Sequence, residues 1–546
     1  MPYLTRMKNT LRLLLALLPI ITFSRASAQT VNPLFRHIPA DADQVYHIDL
    51  KTLAPKLDWS SMSSLLNEVG KGKKMPIDIM SLMNSGCDFH QDVFIARSNI
   101  YQKDSVRYTT VIAHLTDSGK FAAFLRSTAH DLHFEHLAGH ERVAVDNKNT
   151  AFAWNDKIAV MVTGALPKNA DPVAPSDHHL ARKALAALHG SPTSYFTTDT
   201  RFATVFSNDG DMQVWNRHAG NMGALTKMVQ GAPGGANASL NGLAQLAAKS
   251  TEGPTFGTLR FEPGKISFHS TRVLSPKELS DLQHVAGQGL DNDLVSAVPP
   301  GKLMGLAALH YDIAAIIDSL TGKIPADSLK SMLGKKGLDL QDFQHALKGD
   351  ILFLAFEPEK NADGSISKKP SFYVLLSVDD PSAFNRIAGG LKIGDAKTAG
   401  SDPAADTTHH GILSWYGMQN GMAVIGPDPV AIKALFDLPM PHANSAGHLL
   451  LQHPRPDIFH LGIDMHTTAD FLTTIMKKGD SIPAKDQVLL DAIREMDVLL
   501  VSSGGTNDGA MESDIQLRMT DKDRNGLASL LAIVGKLSAK PAKPQP

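Results

Sequence analysis

The chain repeats itself, and this constrains its fold more than any other feature. Asp92-Val-Phe-Ile-Ala96 leads through a polar stretch into Tyr108–Leu115 and then Thr116–Leu125. Asp350-Ile-Leu-Phe-Leu-Ala355 leads likewise into Phe372–Val378 and Asp379–Ile387. Each series reads as strand, hairpin, strand and capped helix, with Asp117 or Ser118 and Asp380 as N-caps. Pro381 sits where a first-turn proline is tolerated.

The echo extends in both directions. Upstream, Ile38-Pro-Ala with Val45–Leu50 matches Val298-Pro-Pro with Leu303–Ala308. Downstream, Trp154–Met161 matches Met418–Ile425, each a tight turn into a buried strand. Helical segments follow at Ala181–Leu188 and Pro429–Phe436. Ser194–Asp199 then corresponds loosely to Phe459–Asp464, and Lys265–Arg272 to Glu512–Arg518. The pairs keep one order at separations of roughly 245 to 265 residues, which predicts an internal duplication.

The expected fold class is therefore α+β: two tandem, internally duplicated units, each a largely antiparallel sheet with packed helices. The first repeat spans residues 33–285, with an insertion at 215–253 that carries helical patterns at Met222–Val229 and Leu240–Ala248. The second spans 291–540, and a Pro/Lys-rich tail at 541–546 reads as disordered.

Residues 1–28 read as a secretory signal. Arg6, Lys8 and Arg12 precede an apolar stretch, Leu13–Phe23, and Ala26-Ser-Ala28 offers a cleavage site before Gln29. The stretch is shorter than a spanning helix, and no later segment reaches the length of one. No cysteine follows it to take a bacterial lipid anchor. The expected location is thus periplasmic or extracellular, with no transmembrane segment once the signal is removed. An uncleaved N-terminal anchor is the rival reading.

Composition narrows the function classes. The 546 residues are 43% hydrophobic and 20% charged, a globular balance. The formal net charge is -2, and it becomes more negative once Arg6, Lys8, Arg12 and Arg25 leave with the signal. Such a chain offers no broad surface for nucleic acid or anionic membrane. The single cysteine, Cys87, excludes an internal disulfide framework and a cysteine-rich zinc site. Cys87 reads as a small buried hydrophobe, with a reactive or intermolecular thiol as the alternative.

The opening Ile38-Pro-Ala-Asp-Ala-Asp-Gln-Val45, followed by Ile48-Asp-Leu-Lys51, resembles an uncharacterised family of Bacteroidetes exported proteins that carry a domain of unknown function. The resemblance covers nearly the whole mature chain and implies no catalytic residue. Many members carry a lipobox cysteine, which is lacking here.

The search for chemistry returns weak candidates. His133, His136, His140 and Glu141 form the densest group, but their order is neither H-E-x-x-H nor H-x-x-E-H, and Gly139 interrupts a helix. They read as histidines of a loop and strand start. His178-His179 and His409-His410 read as loop histidines, since neighbours on a strand face opposite ways. Asn208-Asp-Gly-Asp211, Asn361-Ala-Asp-Gly364 and Asn507-Asp-Gly509 lack the spacing of a calcium loop and read as turns. Gly231–Gly235, Thr321-Gly-Lys-Ile324, Gly287-Gln-Gly289 and Ser502-Ser-Gly-Gly505 complete no phosphate-binding or nucleophile motif.

No catalytic, cofactor-binding or metal-binding residue is therefore assigned, and no cofactor is expected. The expected function is that of an exported, non-enzymatic binding or structural protein, its partner an envelope protein or small ligand. The alternative is a periplasmic hydrolase or metal-dependent enzyme using His133, His136 and His140.

Overall fold

In the computed structural model the chain forms two compact units. The structure describes residues 32–57, 84–100, 106–128, 131–138, 141–146, 149–164, 175–206, 210–217, 253–286, 292–299, 301–321, 333–334, 337–358, 371–395, 413–437, 449–450, 458–477, 481–507 and 509–538. The signal segment, the helical patterns at Met222–Val229 and Leu240–Ala248, His140, His409, His410 and the tail lie outside these residues.

The first unit runs to Ser275 and includes the C-terminal helix Gly526–Ser538. Its strands are β1 (Ala42–Asp49), β2 (Asp92–Ser98), β3 (Tyr108–His114), β4 (Leu132–His136), β5 (Arg142–Asp146), β6 (Thr150–Trp154), β7 (Ile158–Gly164), β8 (Met212–Asn216), β9 (Thr255–Glu262) and β10 (Lys265–Val273). They lie in the order β4-β5-β6-β7-β3-β2-β1-β8-β9-β10, every neighbouring pair antiparallel.

Alternation along the strands gives this sheet two apolar faces. Val143, Val145, Val160 and Val162 point into a core with Phe35, Phe94 and Trp215. The helix α1 (Ser118–Thr128) lays Phe121 and Leu125 on the opposite face, against Ala144 and Trp154. Helix α2 (His179–His189) covers the first face through Leu180, Ala181, Ala184, Ala187 and Leu188, a spacing that puts them on one stripe of a 3.6-residue period.

The second unit holds β11 (Leu303–His310), β12 (Leu347–Phe356), β13 (Ser371–Val378), β14 (Gly394–Asp395), β15 (Trp415–Gln419), β16 (Met422–Gly426), β17 (Phe459–Asp464), β18 (Met496–Asn507) and β19 (Ala510–Met519). Their order is β14-β15-β16-β13-β12-β11-β17-β18-β19, antiparallel except for the short β14–β15 pair. Helix α3 (Pro381–Gly390) packs Phe384 against Tyr416 on one face. Helix α4 (Pro429–Asp437) packs Ile432 on the other, with Leu354, Tyr373 and Trp415. The architecture is mixed α and β, with largely antiparallel sheet.

The expected caps form. Asp117 accepts from the Lys120 amide at 2.9 Å, and Asp380 accepts from the Ser382 and Ala383 amides at 2.7 and 3.2 Å. Pro381 occupies the first helical turn. Asn507 and Ala510 close the β18–β19 hairpin around Gly509, whose φ of +78° suits glycine.

Several expectations are corrected. Tyr195–Thr198 is a helical turn, not a counterpart of strand β17. Asp199 ends that turn and caps the next helix through the Arg201 and Phe202 amides. The strand that flanks β1 as β17 flanks β11 is β8. Trp215 belongs to β8 and does not open an insertion. By contact the first unit runs to Ser275 and takes in Gly526–Ser538. The physical reason is local: the Asn525 side-chain amide donates to the Phe261 carbonyl at 3.0 Å, and a Cβ on Gly526 would meet the Lys265 carbonyl at 2.5 Å. Only a residue without a side chain lets that helix start so close to the β9–β10 hairpin.

Candidate functional site

Each unit contains a cavity, formed where a helix crosses the ends of two adjacent central strands. In the first unit β2 ends at Ser98, six positions after Asp92. Ser98 pairs with Tyr108 and Ala96 with Thr110 on β3. Ser98, Tyr108 and Thr110 line a cavity of about 310 Å³, closed by Lys183, Ala186 and Ala187 of α2. In the second unit β12 ends at Phe356, six positions after Asp350. Phe356 pairs with Ser371 and Leu354 with Tyr373 on β13. Phe356, Ser371 and Tyr373 line a cavity of about 360 Å³, closed by Ala431, Ala434 and Leu435 of α4. The segments before β1 (Ile38-Pro-Ala) and before β11 (Pro299, Gly301 and Lys302) supply further walls. Both volumes suit a small organic molecule.

The wall of the first cavity is built by tight local contacts. Helix α2 ends at Gly190, whose φ of +72° is the left-handed conformation that stops a helix at little cost to glycine. A Cβ there would meet the Arg36 carbonyl at 2.9 Å and His37 Nδ1 at 3.1 Å. The missing side chain lets the Arg36–His37 segment lie against the helix end. The Ser191 amide then donates to the Arg36 carbonyl at 2.6 Å. His37 is buried; its Nδ1 donates to the Ala187 carbonyl at 2.9 Å, so Nε2 keeps a lone pair and accepts from Arg36 Nε at 3.0 Å. Burial pushes the His37 imidazole below its ordinary value, against the opposing pull of the Ala187 bond.

Charge is arranged differently in the two cavities. In the first, Lys183 Nζ lies 4.3 Å from the centroid of the Tyr108 ring and 3.3 Å from Asp41. Ser98 donates to the same carboxylate at 3.1 Å, and Arg36 stands at the exposed rim. In the second, Lys302 and Glu357 pair at 3.0 Å, and the other walls are mostly apolar or aromatic.

At the far end of these strands each unit holds a His–Asp pair, part-buried in the first unit and buried in the second. His47 Nε2 donates to Asp92 at 2.8 Å, its Nδ1 contacts the Gln213 amide oxygen, and its ring stacks on Phe94 at 4.7 Å. Burial raises the Asp92 carboxyl, but bonds and charge from His47, with a bond from Asn32, outweigh it and hold the group below the ordinary carboxylate range. His310 contacts Asp350 in the second unit. Such pairs clamp neighbouring strands; neither lines the two cavities described above.

The histidines singled out in the sequence lie elsewhere. His133 and His136 are both exposed on β4, three positions apart and so on opposite faces. Glu141 accepts from His189 at 3.0 Å. His178 and His179 open α2, and burial lowers both. No group of three potential metal ligands occurs among the described residues. Asp211 pairs with Lys56 at 2.6 Å. Cys87 is half-buried, and burial pushes its thiol up, away from the reactive thiolate. Sequence reasoning missed Arg36, His37, Tyr108 and Lys183, although the echo of Ile38-Pro39 in Val298-Pro299 marked one cavity wall in each unit.

No family model matches the sequence, and no curated protein matches it. Among solved structures, crystal forms IV, III and I of TP0453 are similar, with TM-scores of 0.28, 0.29 and 0.28 and identities of 9%, 10% and 11%. They cover 47%, 45% and 46% of this chain and 86%, 81% and 81% of those chains. Overlap of that extent carries no argument about fold or function.

Proposed function

We propose that this protein is an exported, non-enzymatic binding protein built from two copies of one α+β unit, each copy carrying a small-ligand cavity under its covering helix. The observation that carries the reading is the pair of cavities: Ser98, Tyr108 and Thr110 in one unit hold the register positions of Phe356, Ser371 and Tyr373 in the other. Recurrence at one address in the strand order favours built sites over chance hollows. The duplication also draws support from the matching sequence of strand pairings, from β6 and β15 to β10 and β19, and from Phe121 and Phe384 on the helices that follow β3 and β13.

The export part of the proposal rests on residues 1–28, and kinship with the exported Bacteroidetes family on residues 38–51. Among the described residues no helix is long and apolar enough to cross a membrane. Fractionation of the native host, with N-terminal sequencing, tests export: the mature chain should begin at Gln29 in an envelope or extracellular fraction. Exported material that still begins at Met1 tells against cleavage. Saturable binding of small organic probes to the mature chain tests the cavities. An experimental structure in which residues 42–164 and 303–426 fail to superpose would remove the duplication.

A further inference from the structure

We propose that the cavity of the first unit takes a small organic monocarboxylate, whose charged end meets Arg36 at the rim while its body lies between Tyr108 and Ala186. The inference rests on the reading of the cavities as ligand sites and adds the ligand's chemical class.

Charge is the first argument. Arg36, Lys183 and Asp41 are the ionic groups of the lining. His37 is held neutral, because Nδ1 donates to the Ala187 carbonyl and Nε2 accepts from Arg36. Lys183 and Asp41 largely offset each other at 3.3 Å. The excess is one positive charge, on Arg36.

Donor geometry is the second. His37 engages Arg36 at Nε, which orients the planar guanidinium. Its two terminal nitrogens have no protein partner among the described residues. Such a fork matches a carboxylate with two parallel N–H bonds. Two carbonyls at the end of α2 already have donors: Ala186 accepts from Gly190 and Ala187 from His37.

The second cavity supplies the contrast. Lys302 is paired with Glu357 at its rim and no other ionic group lines it. Its chemistry suits a neutral ligand. A doubly charged phosphate fits the first cavity less well, since one excess cation faces it and Asp41 stands nearby.

The test uses the full mature chain and ligand-detected NMR with benzoate and lactate, their amides benzamide and lactamide, and phenyl phosphate. At least one carboxylate should bind saturably and at least about tenfold tighter than its amide, as a charge-assisted bond warrants. Arg36→Gln, an exposed substitution, should erase that difference, and raised salt should weaken it. Ala186→Phe, checked for an unchanged circular dichroism spectrum, should block the carboxylate by filling the cavity. Amides bound as well as carboxylates, phenyl phosphate bound tighter than benzoate, or indifference to Arg36→Gln would each overturn the carboxylate assignment and leave the binding-protein reading standing. Absence of saturable binding by every probe would overturn both.

Discussion

Nδ1 of His37 donates to the carbonyl of Ala187 at 2.9 Å, joining residues 150 positions apart in the chain. This bond holds the segment before β1 against the last turn of α2, and so shapes one cavity wall. It also ties the fold to pH.

Burial places the folded-state value of His37 below the ordinary histidine value of 6.5. The unfolded chain therefore takes up the proton first as pH falls. The corresponding stability is complete above about 6.5 and is lost as pH falls through the folded value. His178 and His179 are lowered by burial as well and act in the same direction. The thermal midpoint should fall between about pH 7.5 and 5.5, and His37→Asn should flatten that slope. Differential scanning calorimetry across the range checks both; an equal slope in the variant would show that His37 is not its source.

Three glycines should rank by what their backbone and surroundings tolerate. Gly337 has φ of +69° and open space around its missing Cβ, so Gly337→Ala should cost about 1 kcal/mol of left-handed strain. Gly190→Ala adds a 2.9 Å approach to the Arg36 carbonyl and should cost about 2 kcal/mol. At Gly349 the Cβ would lie 1.7 Å from the Tyr311 carbonyl, and the cost should reach about 3 kcal/mol or more. Urea unfolding gives the order.

Asp211 is 2% exposed and accepts from Lys56 Nζ and, at 2.6 Å, from the Phe261 amide. Lys56→Met strands a buried carboxylate and should destabilise by about 3 kcal/mol. Asp211→Asn keeps an oxygen for the Phe261 amide and frees Lys56, itself part-exposed, to water; about 1–2 kcal/mol is expected. Equal losses in denaturant melts would mean that stranding the buried carboxylate costs nothing beyond loss of the ion pair itself.

His136→Ala should leave stability within about 0.5 kcal/mol of the parent. Its side chain is exposed on β4, opposite Arg142 in register, and no packing is lost. Metal content measured on the purified parent and variant should be equal. A drop in bound metal on substitution would restore the histidine group as a site.

By itself the sequence determined the local structure wherever short-range physics dominates. Asp117 and Asp380 cap helices because a carboxylate satisfies free amide groups within three residues. Asn507-Asp-Gly509 turns because glycine accepts positive φ. Phe121 and Phe384 are buried where apolar periodicity placed them. The tertiary structure alone decided which distant segments meet. Arg36, Tyr108 and Lys183 have no shared motif, and they converge because the strand order brings residues 36, 108 and 183 to one sheet end. Tyr195–Thr198 defied its sequence echo, and β8 took the place beside β1 that the echo had assigned to it. Gly526–Ser538 follows the second series of strands in the chain, yet groups with the first unit. Caps and turns are settled by neighbours a few residues away, whereas sheet order and helix docking depend on burial summed over contacts that no local pattern encodes.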